Sequence, residues 1–116
     1  MNRIKVVKKL HFHFGILWHF DIDIYITGCS YCYGTGFLEK NDEVLLVKEP
    51  DNERDREAVE VRLPGLGKIG YVANSPYTVL GDSYSAGRLY DKIGDEGRGK
   101  IMYIIDERSV LCELLR

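Results

Sequence analysis

The sequence predicts a mainly β, β-rich α+β domain: a small antiparallel barrel or strongly curled sheet with one or two short helices. Three observations lead there. Short runs of alternating apolar and polar residues recur along the chain. Turn-forming residues separate these runs at close spacing, which favours antiparallel neighbours. The chain has 116 residues with 12 Gly and 3 Pro, a balance that suits one domain of short strands and tight turns. Closure into a barrel also removes exposed strand edges, which otherwise aggregate.

The elements follow in order. Phe20, Ile22, Ile24 and Ile26 alternate with polar residues as a half-buried strand, ended by Gly28. Residues 29–36 read as a Gly- and Tyr-rich turn, and residues 37–42 as a short helical turn or loop. Residues 43–48 form a second strand with an apolar centre. The run Pro50-Asp51-Asn52-Glu53 is turn chemistry, because Pro fixes φ while Asp and Asn bond their own backbone. Residues 58–63 alternate again, residues 64–67 turn the chain, and residues 68–72 give a fourth strand. Ser75 and Pro76 suit the N-cap and first position of a helical segment. Ala86, Leu89, Tyr90 and Ile93 mark a short amphipathic helix within residues 83–93, which glycines 94, 97 and 99 break. Residues 100–105 and 109–115 read as a closing hairpin. The domain is expected to span residues 20–116, with residues 1–19 as an N-terminal extension or extra strand.

Composition excludes several classes. The formal net charge of −2 does not draw nucleic acid to the whole surface. A broad, salt-driven DNA binder carries a basic excess, whereas the clear basic tract here is Arg3, Lys5, Lys8 and Lys9. Any nucleic-acid contact is therefore expected in a local pocket. The odd number of cysteines, 3, argues against a closed disulfide framework and for a reducing cytoplasm. The N-terminal run superficially resembles a signal peptide, but His11, His13 and His19 interrupt it and no small-residue cleavage site follows. It is also shorter than the roughly 20 apolar residues a membrane span needs, so no membrane partner is expected.

Four candidate sites can be weighed. Cys29-Ser-Tyr-Cys32 has the spacing of a zinc or redox pair. Zinc needs four ligands and no second pair stands at ligand spacing, while a thioredoxin-like role needs a βαβ context; incidental cysteines fit better. Asp51, Glu53 and Asp55 have the alternate spacing of a calcium loop. An EF-hand needs Gly at its sixth position and Glu at its twelfth, where this chain has Arg56 and Arg62. Glu49, Asp51, Asp55 and Glu57 could raise one another's pKa, but Lys48, Arg54 and Arg56 are interleaved. No nucleophile–base pair or phosphate loop accompanies them, so the chain reads as non-enzymatic, without metal or cofactor. Finally, Tyr31 and Tyr33 lie in a Gly-bounded loop. They could stack on unpaired bases, or pack as a cap on the barrel end.

The stretch Lys48-Glu-Pro-Asp-Asn-Glu-Arg-Asp-Arg-Glu-Ala-Val-Glu-Val61, followed by Ile69-Gly-Tyr-Val72, resembles the HIRAN signature. The upstream Ile26-Thr-Gly28 and Tyr-rich turn match as well, so the likeness extends over residues 20–93, in the stand-alone bacterial form of the domain. It implies a small OB-like barrel with short helices that captures the 3′ end of single-stranded DNA, in DNA repair or replication-fork processing. The implied DNA-binding residues are Tyr31, Asp51, Asn52, Arg54, Asp55 and Tyr71. Tyr31 corresponds to a stacking tyrosine, and Asn52 and Asp55 to the signature Asn and Asp. A carboxylate accepts a hydrogen bond from a free hydroxyl and repels a phosphate, which selects an end over a continuing strand. Ser30, Ala73 and Asn74 stand where family members often have basic residues, and Arg54 where they have an aromatic one. Two alternatives stay open. Asn52 and Asp55 also suit turn capping, and the same barrel could serve as a protein-interaction module, with a helicase or nuclease as partner.

Overall fold

The structure is a computed structural model, and it describes residues 22–75 and 83–115. Strands β1 (Asp23–Thr27), β2 (Glu43–Lys48), β3 (Val59–Leu63), β4 (Gly67–Val72), β5 (Glu96–Asp106) and β6 (Ser109–Leu115) are joined by a 3₁₀ turn at Cys29–Tyr31 and helix α1 (Ala86–Tyr90). The strands close into an antiparallel barrel in the order β1-β4-β3-β2-β5-β6, with β6 pairing back onto β1. This is the mainly β antiparallel barrel that the alternation predicts, in the OB-like form that the resemblance implies.

Alternation explains the core. Ile22, Ile24 and Ile26 turn inward from the first strand, and Val44 and Leu46 from the second. Val59 and Val61, Ile69, Ile101 and Val110 meet them from the remaining strands, all fully buried. Ala86 and Leu89 of α1 join the same cluster. Curling a sheet this tightly requires local breaks in register, since bulges increase twist. The ladder shifts between Val61 and Arg62 where β3 meets β4, and twice in β5 opposite β6.

Two expected boundaries differ. The helix is confined to Ala86–Tyr90, with the Ser85 side chain capping it through the Arg88 N–H at 3.2 Å. Tyr84, just before that cap, bridges instead to Ile24 of β1. The last long strand begins at Glu96 rather than near Lys100, and Gly97 and Gly99 lie inside it. Those glycines do not break structure: they allow close packing. A Cβ on Gly97 would sit 2.8 Å from the Ile93 side chain, and one on Gly99 3.3 Å from the Glu113 carbonyl. Residues 37–42 form turns rather than helix, with Asn41 in the left-handed region at φ 78°. The extension at residues 1–19 and the helical segment expected from Pro76 lie outside the described residues. Among the described residues, no helix is long and apolar enough to cross a membrane.

Candidate nucleic-acid interface

The β2–β3 loop is built by its own polar side chains. Glu49 N–H donates to the Ala58 carbonyl at 2.8 Å, closing the loop at its base. Inside it, the Asn52 side-chain oxygen accepts from the backbone N–H groups of Arg54 and Asp55 at 2.9 and 3.0 Å. The Asn52 amide nitrogen donates to Glu49 Oε1 at 2.9 Å. Asp55 Oδ1 accepts from the Glu57 N–H at 2.9 Å. These are the local side-chain-to-backbone bonds that Asn and Asp favour in turns.

Longer bonds fasten the loop to β4 and its exit. Tyr71 Oη donates to Glu49 Oε1 at 3.0 Å. Asn74 Nδ2 donates to Asp55 Oδ2 at 2.9 Å, and Asn74 Oδ1 accepts from the Gly87 N–H of α1 at 2.9 Å. Loop, strand and helix thus form one frame. Beside it lies an open groove of about 840 Å³, with Asn52, Arg54, Asp55, Tyr71 and Asn74 in its walls.

The sequence profile of the HIRAN domain matches residues 19–113. The chain belongs to the HIRAN family. A HIRAN domain is a binding module rather than a catalyst, and membership supports nucleic-acid binding. The fold is similar to the crystal structure of the HIRAN domain of human HLTF, with a TM-score of 0.58 at 18% identity. That similarity covers 81% of this chain and 72% of the HLTF chain. No curated protein matches the sequence.

Four of the six residues singled out from the sequence, Asn52, Arg54, Asp55 and Tyr71, meet at this groove of the HIRAN barrel. Asp51 does not; it lines a neighbouring recess of about 500 Å³ with Arg56. Tyr31 stands outside the groove walls, on the 3₁₀ turn that follows groove residue Thr27 and Gly28. That turn packs against β4. Tyr31 is 92% exposed, which overturns the packing alternative for this residue. Tyr33 is also exposed and meets Phe37 edge to face, with ring centroids 6.3 Å apart. Among the described residues no cluster of three or more His, Cys, Asp or Glu could hold a metal.

Asn52 and Asp55 do perform the capping role. Capping leaves capacity for a ligand: an ionised carboxylate has about four lone-pair sites, and Asp55 uses two of them for Glu57 and Asn74.

Behind the groove, the Glu49 and Glu60 carboxyls interact with each other. Burial acts to raise the Glu49 pKa, but hydrogen bonds from Asn52, Glu60 and Tyr71 outweigh it and hold this carboxyl below its ordinary range. Burial raises Glu60, and its bond to Glu49 raises it further. Glu60 Oε1 also accepts from Arg62 Nη1 at 2.9 Å. Burial, then the bond to Glu49, raises Tyr71. Glu49 and Asn74 are the residues that sequence reading did not assign to this region. Their bonds to Tyr71 and Asp55 span 22 and 19 residues, beyond any local spacing rule.

Proposed function

We propose that this HIRAN domain captures the 3′ end of single-stranded DNA in the groove between the β2–β3 loop and β4. The observation that carries the reading is the convergence of Asn52, Arg54, Asp55 and Tyr71 on one groove. Asp55 accepts the terminal 3′ hydroxyl, Asn52 and Arg54 contact the last nucleotide, and the exposed Tyr31 stacks on a base. Arg guanidinium planes stack on unpaired bases, so Arg54 can take the place of an aromatic ring. Few phosphate contacts are required, which suits a net charge of −2. Capture of this kind fits DNA repair or replication-fork processing. Fluorescence anisotropy with oligonucleotides ending in a 3′ hydroxyl or a 3′ phosphate tests it. Tighter binding of the hydroxyl end is expected; equal or absent binding of both sinks the reading.

A second reading is a protein-interaction module, with a helicase or nuclease as partner. One observation favours it. Among the groove-wall residues, Glu53 and Asp55 are acidic and Arg54 alone is basic. A pull-down that returns a protein and no nucleic acid would support this class.

A further inference from the structure

Cys29 and Cys32 bracket the exposed Tyr31 within a single turn of backbone. Cys29 opens the 3₁₀ turn, and the Cys32 N–H donates to the Cys29 carbonyl at 3.0 Å. A 3₁₀ helix has about three residues per turn and a rise of about 2.0 Å per residue, so side chains three apart eclipse. That places the Cα atoms of Cys29 and of Cys32, the residue that ends the turn, about 6 Å apart, inside the roughly 4.4–6.8 Å that a disulfide spans. Cys29 is anchored: its N–H donates to the Arg108 carbonyl at 2.9 Å, and its Sγ lies 3.2 Å from where a Cβ on Gly70 would sit. Cys32 is only half-buried. The two thiols also sense each other. Burial first, and then charge on Cys32, push the Cys29 thiol up to about 11.

We propose that Cys29 and Cys32 form a reversible intramolecular disulfide that clamps the turn carrying Tyr31. A low-molecular-weight disulfide is the oxidant. The Cys32 thiolate attacks one of its sulfurs, expels one small thiolate, and is left as a mixed disulfide. Cys29, deprotonated by solvent base, then attacks the Cys32 sulfur and expels the second small thiolate. Two protein thiols are oxidised to one disulfide, and the small disulfide is reduced to two thiols. In a reducing compartment such a bond forms transiently under oxidant load, and the thiol pool reverses it.

Cys112 is the competing partner and is poorly placed. It sits mid-strand in β6, opposite Ile24 of β1 and Ile101 of β5, so bridging to it would distort two ladders. Burial, then Cys29, also raises its thiol. The burial of Cys29 gives the clamp a kinetic signature. Closure needs the Cys29 thiolate, so its rate rises with pH.

The test uses the full chain, treated with oxidised glutathione across a pH series, then alkylated under denaturing conditions and weighed by mass spectrometry. The expected result is loss of two of the three alkylatable thiols, with one peptide bridging Cys29 and Cys32. Cys112→Ser should still lose two thiols. Cys29→Ser and Cys32→Ser should lose none to an internal bridge, and Cys29→Ser should retain a glutathione adduct on Cys32. Cys32→Ser, at a half-buried position, keeps the test valid if Cys29→Ser does not fold. Wild-type protein that keeps all its thiols, stops at the Cys32 adduct, or bridges Cys29 to Cys112 would overturn the proposal. The readout is mass and not binding, so the clamp stands or falls independently of the DNA reading.

Discussion

The β2–β3 loop and the turn after β1 both lean on β4, but they are held there by opposite means. In the loop, polar side chains do the fastening: Asn52 alone makes three hydrogen bonds, and Asp55 two more. The turn is held by backbone and core. Cys29 is buried against Gly70, and Thr35 Oγ1 donates to the Asp106 carbonyl at 2.8 Å. Its tip, Tyr31, contributes nothing visible to that anchoring and projects into solvent. In the loop, then, the residues proposed to meet DNA also hold the structure. In the turn those two tasks fall to different residues. Substitutions should separate binding from stability in the turn and confound them in the loop.

The largest expected effect comes in β4, the strand on which both regions lean. A Cβ on Gly70 would sit 2.7 Å from the Thr27 carbonyl and 3.0 Å from Ile26. Neither backbone nor core can give easily, so Gly70→Ala should cost about 2–3 kcal/mol in thermal or denaturant unfolding. An unchanged midpoint would show that the turn and β4 separate freely, and the contrast would lose its common base. Next is the loop. Asn52→Ala removes three hydrogen bonds and leaves backbone donors unmet, at a cost of about 2 kcal/mol. Asp55→Ala should cost about 1 kcal/mol, leave the domain folded, and abolish discrimination between hydroxyl and phosphate ends. Loss of the unfolding transition in Asp55→Ala would mean that its capping role dominates.

A smaller effect should appear as a pH dependence. Glu60 is raised by burial and by Glu49, so its contribution is full below the ordinary glutamate range and is lost as pH rises through its raised folded value. Glu49 has the opposite sign: its contribution is present above the ordinary range and lost as pH falls through its lowered value. Glu60→Gln mimics the protonated acid, donating to Glu49 and accepting from Arg62. It should keep the bond to Glu49 and flatten the part of the stability profile that lies above the ordinary glutamate range. Parallel profiles for wild type and variant would disprove the raised Glu60 value. The smallest effect on the fold belongs to Tyr31→Ala, at under about 0.5 kcal/mol. If Tyr31 stacks on a base, the same variant should weaken oligonucleotide binding by about 1–3 kcal/mol in anisotropy titrations.

The strands were legible because alternation and turn chemistry are local signals. Ile22, Ile24 and Ile26 announce β1 without reference to any neighbour. Gly97 and Gly99 misled for the converse reason: alone they read as breakers, and only the presence of Ile93, Val44 and Glu113 shows why a strand needs them. The groove was partly legible. Asn52, Arg54, Asp55 and Tyr71 stand out in the signature, whereas the bonds from Glu49 to Tyr71 and from Asn74 to Asp55 exist only once the closed barrel brings them near. Asp51 lines a neighbouring recess because the tight turn around Asn52 sends adjacent side chains in different directions.

The seam between β1 and β6 reaches beyond the native state. Asp23 through Ile26 register with Glu113 through Val110, so the barrel's first strand waits for its last. During synthesis, β1 must hold Ile22, Ile24 and Ile26 without their final cover until β6 has left the ribosome. Pairings this distant along the chain slow folding and lengthen the time apolar surface stays open to chaperones or to aggregation. Truncation upstream of Val110 should therefore leave a nascent chain that never closes.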